Sequence, residues 1–301
     1  MKKFAASLFG TSKEAVDLKR REEVSRILPL ADCSHDCESC TTKYPTSVKI
    51  ELDADIYNST KPTACHFVVP TGKTDWPHDA TSVPKTVENA IASWIDSSAS
   101  KFFPTDDASV KVSTSSFPTD LLDIKCQDGE CNDILILPFF VWVRKVDYHN
   151  VNSLLDELVP TLIKSHESGT PPPSEIQSYK VELDKQRSYI FLCSHTTRDK
   201  RCGVTAPLMK REMDSRLRET GHYRDVGDDT PDGVNVAFIN HVGGHKFAAN
   251  VIIYIKTGEI IWLAKCTPAM AQPIIDETVL GGGKVWVDLV RRIQKGKAVE
   301  W

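Results

Sequence analysis

The sequence predicts an α/β protein in two domains. Buried-strand segments alternate with amphipathic helices along most of the chain, and a run reading GTPPPS at residues 169–174 divides them. Three successive prolines cannot continue a helix and favour an extended segment, so the domain boundary is placed there. The expected organisation is a polar, partly disordered segment at 1–45, an N-terminal α/β domain at 46–168, a proline-rich linker at 169–177, and a C-terminal domain with its tail at 178–301.

Before the linker, residues 65–71 and 133–143 read as buried strands, because their apolar runs are continuous. Val87, Ile91, Trp94 and Ile95 fall at helical spacing. Val151, Leu154, Leu155, Leu158, Leu162 and Ile163 form the stripe of a second helix. After the linker come a strand at 188–193, a helix over roughly 206–220, three strands between 233 and 264, and a helix beginning near Pro268. Strands first, then a crossover helix, then an antiparallel end fit a thioredoxin-like layer arrangement. The N-terminal domain has a similar order, as a divergent second copy of that fold would.

Two pairs of residues carry most of the chemistry. Cys193 and Cys202 stand in CSHTTRDKRCG, and His241 and His245 in NHVGGH. Two thiols and two imidazoles are the donor set of a zinc site or of an iron–sulfur cluster with mixed ligands. Gly243 and Gly244 inside the histidine pair disfavour a helix and suit a loop with close backbone approach. Each pair follows a strand, so two loops leaving strand ends converge on one site. Structural zinc usually takes cysteines two to four residues apart, whereas eight residues separate Cys193 from Cys202. The wider loop suits a larger object, although spacing alone leaves both zinc and a cluster open.

CSHTTRDKRCG followed by HVGGHKFAANV resembles the thioredoxin-like ferredoxins of the sucrase/ferredoxin-like family, with HFVVPTGKTDWPHDA and ILILPFFVW as N-terminal echoes. The resemblance implies a C-terminal thioredoxin-like ferredoxin domain. It also implies a [2Fe–2S] cluster held by Cys193, Cys202, His241 and His245, in which histidines replace the second cysteine pair of an all-cysteine ferredoxin. With that donor set the oxidised site is near neutral and the reduced site carries about −1, against roughly −3 for a reduced four-cysteine site. One-electron, proton-coupled redox transfer follows as the implied function, with tolerance of oxidants or redox-active compounds as its expected setting. His195, Arg198, Lys200, Arg201 and Lys246 flank the ligands as expected supporting or docking groups for a redox partner that the sequence does not identify.

The chain ends in Val299, Glu300 and Trp301, which resembles the terminal signal by which some cytosolic iron–sulfur clients engage the cluster-assembly machinery. That signal commonly carries Leu, Ile or Met where this chain has Val299. A terminal Trp folded back onto its own domain is the alternative.

The remaining cysteines carry weaker signals. Cys33, Cys37 and Cys40 form C-x3-C-x2-C in a polar stretch beside His35 and Asp36, read as free or redox-active thiols ahead of a second metal site. Cys126 and Cys131 bracket an acidic turn and are spaced for local pairing; Cys65 and Cys266 read as small hydrophobes. The triple glycine at 281–283 lacks the strand–turn–helix context of a nucleotide fingerprint.

A net charge of −4 gives no reason to expect nucleic acid, and no apolar run approaches a membrane span. The opening MKKFAASLFG has too short an apolar part for a signal peptide, and the charged stretch 13–23 follows it. Nine cysteines without a secretory context point to a reducing compartment, the cytoplasm, with the nucleus as alternative. No carboxylate pair stands out for glycoside hydrolysis, so an electron-transfer protein is expected ahead of a hydrolase. The competing expectation, suggested by the resemblance rather than by the residues, is a structural zinc-binding or scaffolding protein linked to the actin cortex.

Overall fold

A computed structural model of the chain describes residues 2–104, 107–119, 129–225 and 227–301. Among the described residues, eleven strands form one mixed sheet. The first half supplies β1 (Thr63–Pro70), β2 (Ser109–Ser115), β3 (Cys131–Leu137) and β4 (Val141–Asp147), with the short β5 (Glu175–Ile176) and β6 (Tyr179–Leu183) at its edge. The second half supplies β7 (Ser188–Cys193), β8 (Val234–Ile239), β9 (Val251–Ile255), β10 (Glu259–Leu263) and β11 (Val290–Lys295). Across the sheet the order is β11-β10-β9-β7-β8-β2-β1-β3-β4-β6-β5.

The two halves repeat one connection pattern. β1 leads through helix α2 (Val87–Ser98) to β2, which lies parallel to it. β3 returns antiparallel on the other side of β1, and β4 pairs antiparallel with β3. Likewise β7 leads through α4 (Lys200–Glu219) to a parallel β8, and β9 and β10 follow antiparallel. The halves meet where β2 pairs with β8 at Ser115 and Ile239. Residues 175–183, which follow the proline run, reach back to pair β6 with β4.

The period-two alternation of the strands explains the layering. Cys65, Phe67 and Val69 of β1 pack with Ile91, Trp94 and the apolar stripe of α3 (Val151–Ser168). Ile190 and Leu192 of β7 pack under Met209 and Met213 of α4. The opposite faces meet each other: Val68, Leu135 and Leu137 of the first half share a cluster with Phe191, Ile252 and Tyr254 of the second. The sheet therefore folds back on itself, with helices outside and aromatic rings between its halves. Each fully buried Ile, Leu or Phe contributes about 1.5–3 kcal/mol, so these layers outweigh the surface ion pairs.

Several boundaries differ from the sequence expectation for physical reasons. The strand expected at 133–143 is two strands separated by a turn at 138–140. α4 begins at Lys200 rather than near 206, because Asp199 caps it ahead of Gly203 and Pro207, which read as loop residues. β2 (SVKVSTS) and β11 (VRRIQK) are too polar to stand out by alternation. Within 1–45 lies α1 (Lys2–Ser25), and Val24 and Leu28 join the core of the second half. Leu30 then forms a parallel bridge with Val285, and the Trp286 indole donates to the Cys33 carbonyl at 2.7 Å.

Candidate metal centre

Cys193 is the last residue of β7 and is buried. Six residues later Asp199 accepts the N–H of Arg201 at 2.9 Å and starts α4, so Cys202 falls in the first turn. A helix N-terminus carries partial positive charge and favours a thiolate there. Gly203 follows, and a Cβ at that position would overlap the Thr196 side chain; the loop closes only because none is present. β8 ends two residues before His241. Gly243 (φ 82°) and Gly244 (φ 73°) then take left-handed conformations that turn the chain to His245.

The loops do converge. One ligand atom each from Cys193, Cys202 and His241 lies within 4.8 Å of the others, and Cys193 Sγ is 3.9 Å from His241 Nδ1. His245 stands beside this group, its ring centroid 5.2 Å from that of His241. Its Nε2 lies 3.8 Å from Asp199 Oδ2, and its Nδ1 is buried with no hydrogen-bond partner. Buried polar atoms are nearly always satisfied, so this orphan nitrogen fits a ligand atom. The thiols agree. A hydrogen bond with Cys202 holds the Cys193 thiol well below its ordinary range against the effect of burial, while the same bond and burial push Cys202 far up. A cation bound between the two sulfurs would favour loss of both protons. Two thiolates and two imidazoles fit a [2Fe–2S] cluster or zinc.

Among the expected supporting residues, His195 has the clearest place. It is 1% exposed; its Nδ1 accepts the backbone N–H of His241 at 3.0 Å, and its Nε2 donates to the Trp76 carbonyl at 2.9 Å. Arg201 donates twice to Asp199 at 2.9 Å, and this bond draws the Asp199 carboxyl down to about 2. Arg198 donates to the His78 carbonyl at 3.2 Å, Lys246 pairs with Glu51 at 3.2 Å, and Lys200 is exposed.

The first half buttresses the cysteine loop. Ser194 Oγ donates to the Thr74 carbonyl at 2.7 Å, and Thr197 donates from its N–H at 3.0 Å and its hydroxyl at 2.7 Å to Asp75. The sequence reading gave no role to Asp75 or Asp199. Asp199 had a readable signal, a cap three residues ahead of Cys202; Asp75 is a long-range contact.

The structure does not gather Cys33, Cys37 and Cys40. Cys33 is exposed, Cys37 Sγ lies 3.2 Å from Gln272 Oε1, and Cys40 Sγ lies 3.9 Å from the Thr42 carbonyl. Among the described residues the Cys193, Cys202 and His241 group is the one with metal-ligand proximity. Cys65 and Cys266 are fully buried and their thiols are pushed up by burial. Cys131 is disulfide-bonded, and Cys126 lies outside the described residues. At the C-terminus the Trp301 indole donates to the Phe139 carbonyl at 3.1 Å and lies edge-on to His166, while the Val299 N–H donates to the Lys256 carbonyl at 2.9 Å. Glu300 lies 3.9 Å from Lys297. No helix among the described residues is long and apolar enough to cross a membrane.

Comparison with known proteins gives a family. The sucrase/ferredoxin-like family model matches residues 56–292. Actin patches distal protein 1 of Saccharomyces cerevisiae is 38% identical over 291 residues, 90% of each chain. Altered inheritance of mitochondria protein 32 of Debaryomyces hansenii is 33% identical over 118 residues, 38% of each chain, and its Meyerozyma guilliermondii namesake is 30% identical over 132 residues, 43% of this chain and 44% of its own. No solved structure matches.

Proposed function

The chain belongs to the sucrase/ferredoxin-like family, and from that premise we propose that it is a [2Fe–2S] protein acting in one-electron, proton-coupled redox transfer. The observation that carries this reading is the approach of the buried Cys193 and Cys202 to the half-buried His241 within 4.8 Å, with the unpartnered His245 Nδ1 beside them. A bound cluster would supply a reversible one-electron carrier. The chain's own residues do the rest. Cys193 and Cys202 provide anionic sulfur from a strand end and a helix start, and His195 fixes the entry to the histidine loop. The His245 side chain is 42% exposed, which gives a proton a route between solvent and an imidazole of the donor set. In this reading each half of the folded-back sheet is a thioredoxin-like unit, and the second alone carries ligands.

The wider setting belongs to the same proposal. The protein works in the cytoplasm, gives or takes electrons with a partner protein, contributes to tolerance of oxidants, and receives its cluster from the cytosolic assembly machinery through Val299, Glu300 and Trp301. A second reading, a zinc-binding or scaffolding protein at the actin cortex, draws on the name of the yeast relative. Spectroelectrochemical titration of anaerobically purified protein separates the two. The redox reading expects a reversible one-electron step whose midpoint falls by about 59 mV per pH unit where one proton accompanies one electron. A colourless protein with no such step favours the scaffold.

A further inference from the structure

Arg291, on β11, is a buried cation with only neutral partners. It is 5% exposed. Its Nη1 donates to the Gly243 carbonyl at 2.9 Å and to Asn250 Oδ1 at 3.0 Å, and its Nε donates to Ser59 Oγ at 3.0 Å. The guanidinium lies over the Trp262 ring, 4.5 Å from its centroid, and the Trp262 indole donates to the same Asn250 oxygen at 3.1 Å. Among the described residues no ion pair includes Arg291. Taking a cation out of water without an opposite charge is strongly unfavourable, and burial accordingly draws Arg291 down to about 10; the Cys193 sulfur is the anionic group that acts against this.

Gly243 and Gly244 are fitted to this side chain. A Cβ on Gly244 would lie 2.6 Å from Arg291 Nη1 and 2.8 Å from its central carbon, closer than such contacts occur. The turn that spaces His241 from His245 is thus moulded on the guanidinium. Resting on the cluster reading above, we infer that Arg291 is a positioning and charge-compensating residue of the metal centre, holding the Gly243–Gly244 turn and balancing the negative charge that the site gains on reduction. In a site of low dielectric a cation at this depth favours the reduced form without touching the electron donor or acceptor.

Two neutral variants and one cationic variant test this. In cluster-loaded protein titrated with dithionite and mediators, Arg291→Gln and Arg291→Met make reduction at least tenfold less favourable, a midpoint lowered by about 59 mV or more. Arg291→Lys stays within threefold of wild type. In cluster-free protein Arg291→Met still folds with a cooperative urea transition, because relief of a buried cation offsets part of the loss of its donors to Gly243, Asn250 and Ser59. Neutral variants that keep the wild-type midpoint potential overturn the inference and leave the cluster reading standing. Cluster-free variants that fail to fold also overturn it, since Arg291 is then a structural peg. Wild-type protein lacking acid-labile sulfide sinks the cluster reading, and this inference with it.

Discussion

His195 accepts the backbone N–H of His241 through its Nδ1 at 3.0 Å. Because that partner can only donate, Nδ1 carries no proton, and Nε2 donates to the Trp76 carbonyl at 2.9 Å. One buried imidazole therefore ties the cysteine loop, the histidine loop and the first half of the molecule together.

Replacing His195 tests that tie. His195→Phe keeps the ring volume and loses both hydrogen bonds, leaving the His241 N–H and the Trp76 carbonyl without these partners. Expected is metal loss to a chelator at least tenfold faster than wild type, with the far-ultraviolet circular dichroism unchanged. An unaltered rate would reduce His195 to packing.

Asp199 links capping to the donor set, since it starts α4 and lies 3.8 Å from His245. Asp199→Ala should cost about 0.5–2 kcal/mol in urea unfolding, and Asp199→Asn less, because it keeps the cap but loses the charge paired with Arg201. Its carboxyl is drawn below its unfolded value of 3.8 to about 2, so its contribution is present above about pH 4 and is lost as pH falls toward 2. Equal losses for Ala and Asn would assign the effect to charge rather than to the cap.

His66 sits between the half-sheets, with Nδ1 2.8 Å from the Tyr254 hydroxyl and Nε2 2.9 Å from Ser113 Oγ. Burial, with Lys111 adding to it, pulls its pKa from 6.5 to about 3. The folded value lies below the unfolded one, so this site contributes stability above about pH 6.5 and loses it as pH falls toward 3. The loss is at most about 1.4 kcal/mol per pH unit. Urea midpoints at several pH values should decline more steeply for wild type than for His66→Gln. Parallel declines would mean that other groups dominate acid unfolding.

Much of this arrangement was legible in the sequence, and the rest failed for identifiable reasons. The apolar runs of β1 and β7 and the stripes of α2 and α3 read directly, because burial on one or both faces leaves periodic hydrophobicity. Cys193, Cys202, His241 and His245 stood out by chemistry and spacing. Arg291 did not, since one arginine in VRRI carries no local sign that its guanidinium lies under a glycine turn 48 residues away. The folding of the sheet onto itself was equally hidden: it depends on pairings such as Ser115 with Ile239 that no local pattern encodes.

The C-terminus can be tested for two roles at once. Trp301 is docked on Phe139 and His166, so its deletion should lower the unfolding free energy from urea titration by roughly the worth of a hydrogen bond and partial burial, about 1–2 kcal/mol. If the tail also engages the assembly machinery, the deletion lowers cluster occupancy in cells while His166→Ala, which loosens the docking and keeps the Trp, does not. Equal occupancies in the two variants would leave the tail a packing element.

Iron and acid-labile sulfide in anaerobically purified wild-type protein test the central claim most directly. The account predicts about two of each per chain, both lost in Cys193→Ser and in Cys202→Ser and retained with an altered spectrum in His241→Cys. One zinc per chain with no acid-labile sulfide would contradict it.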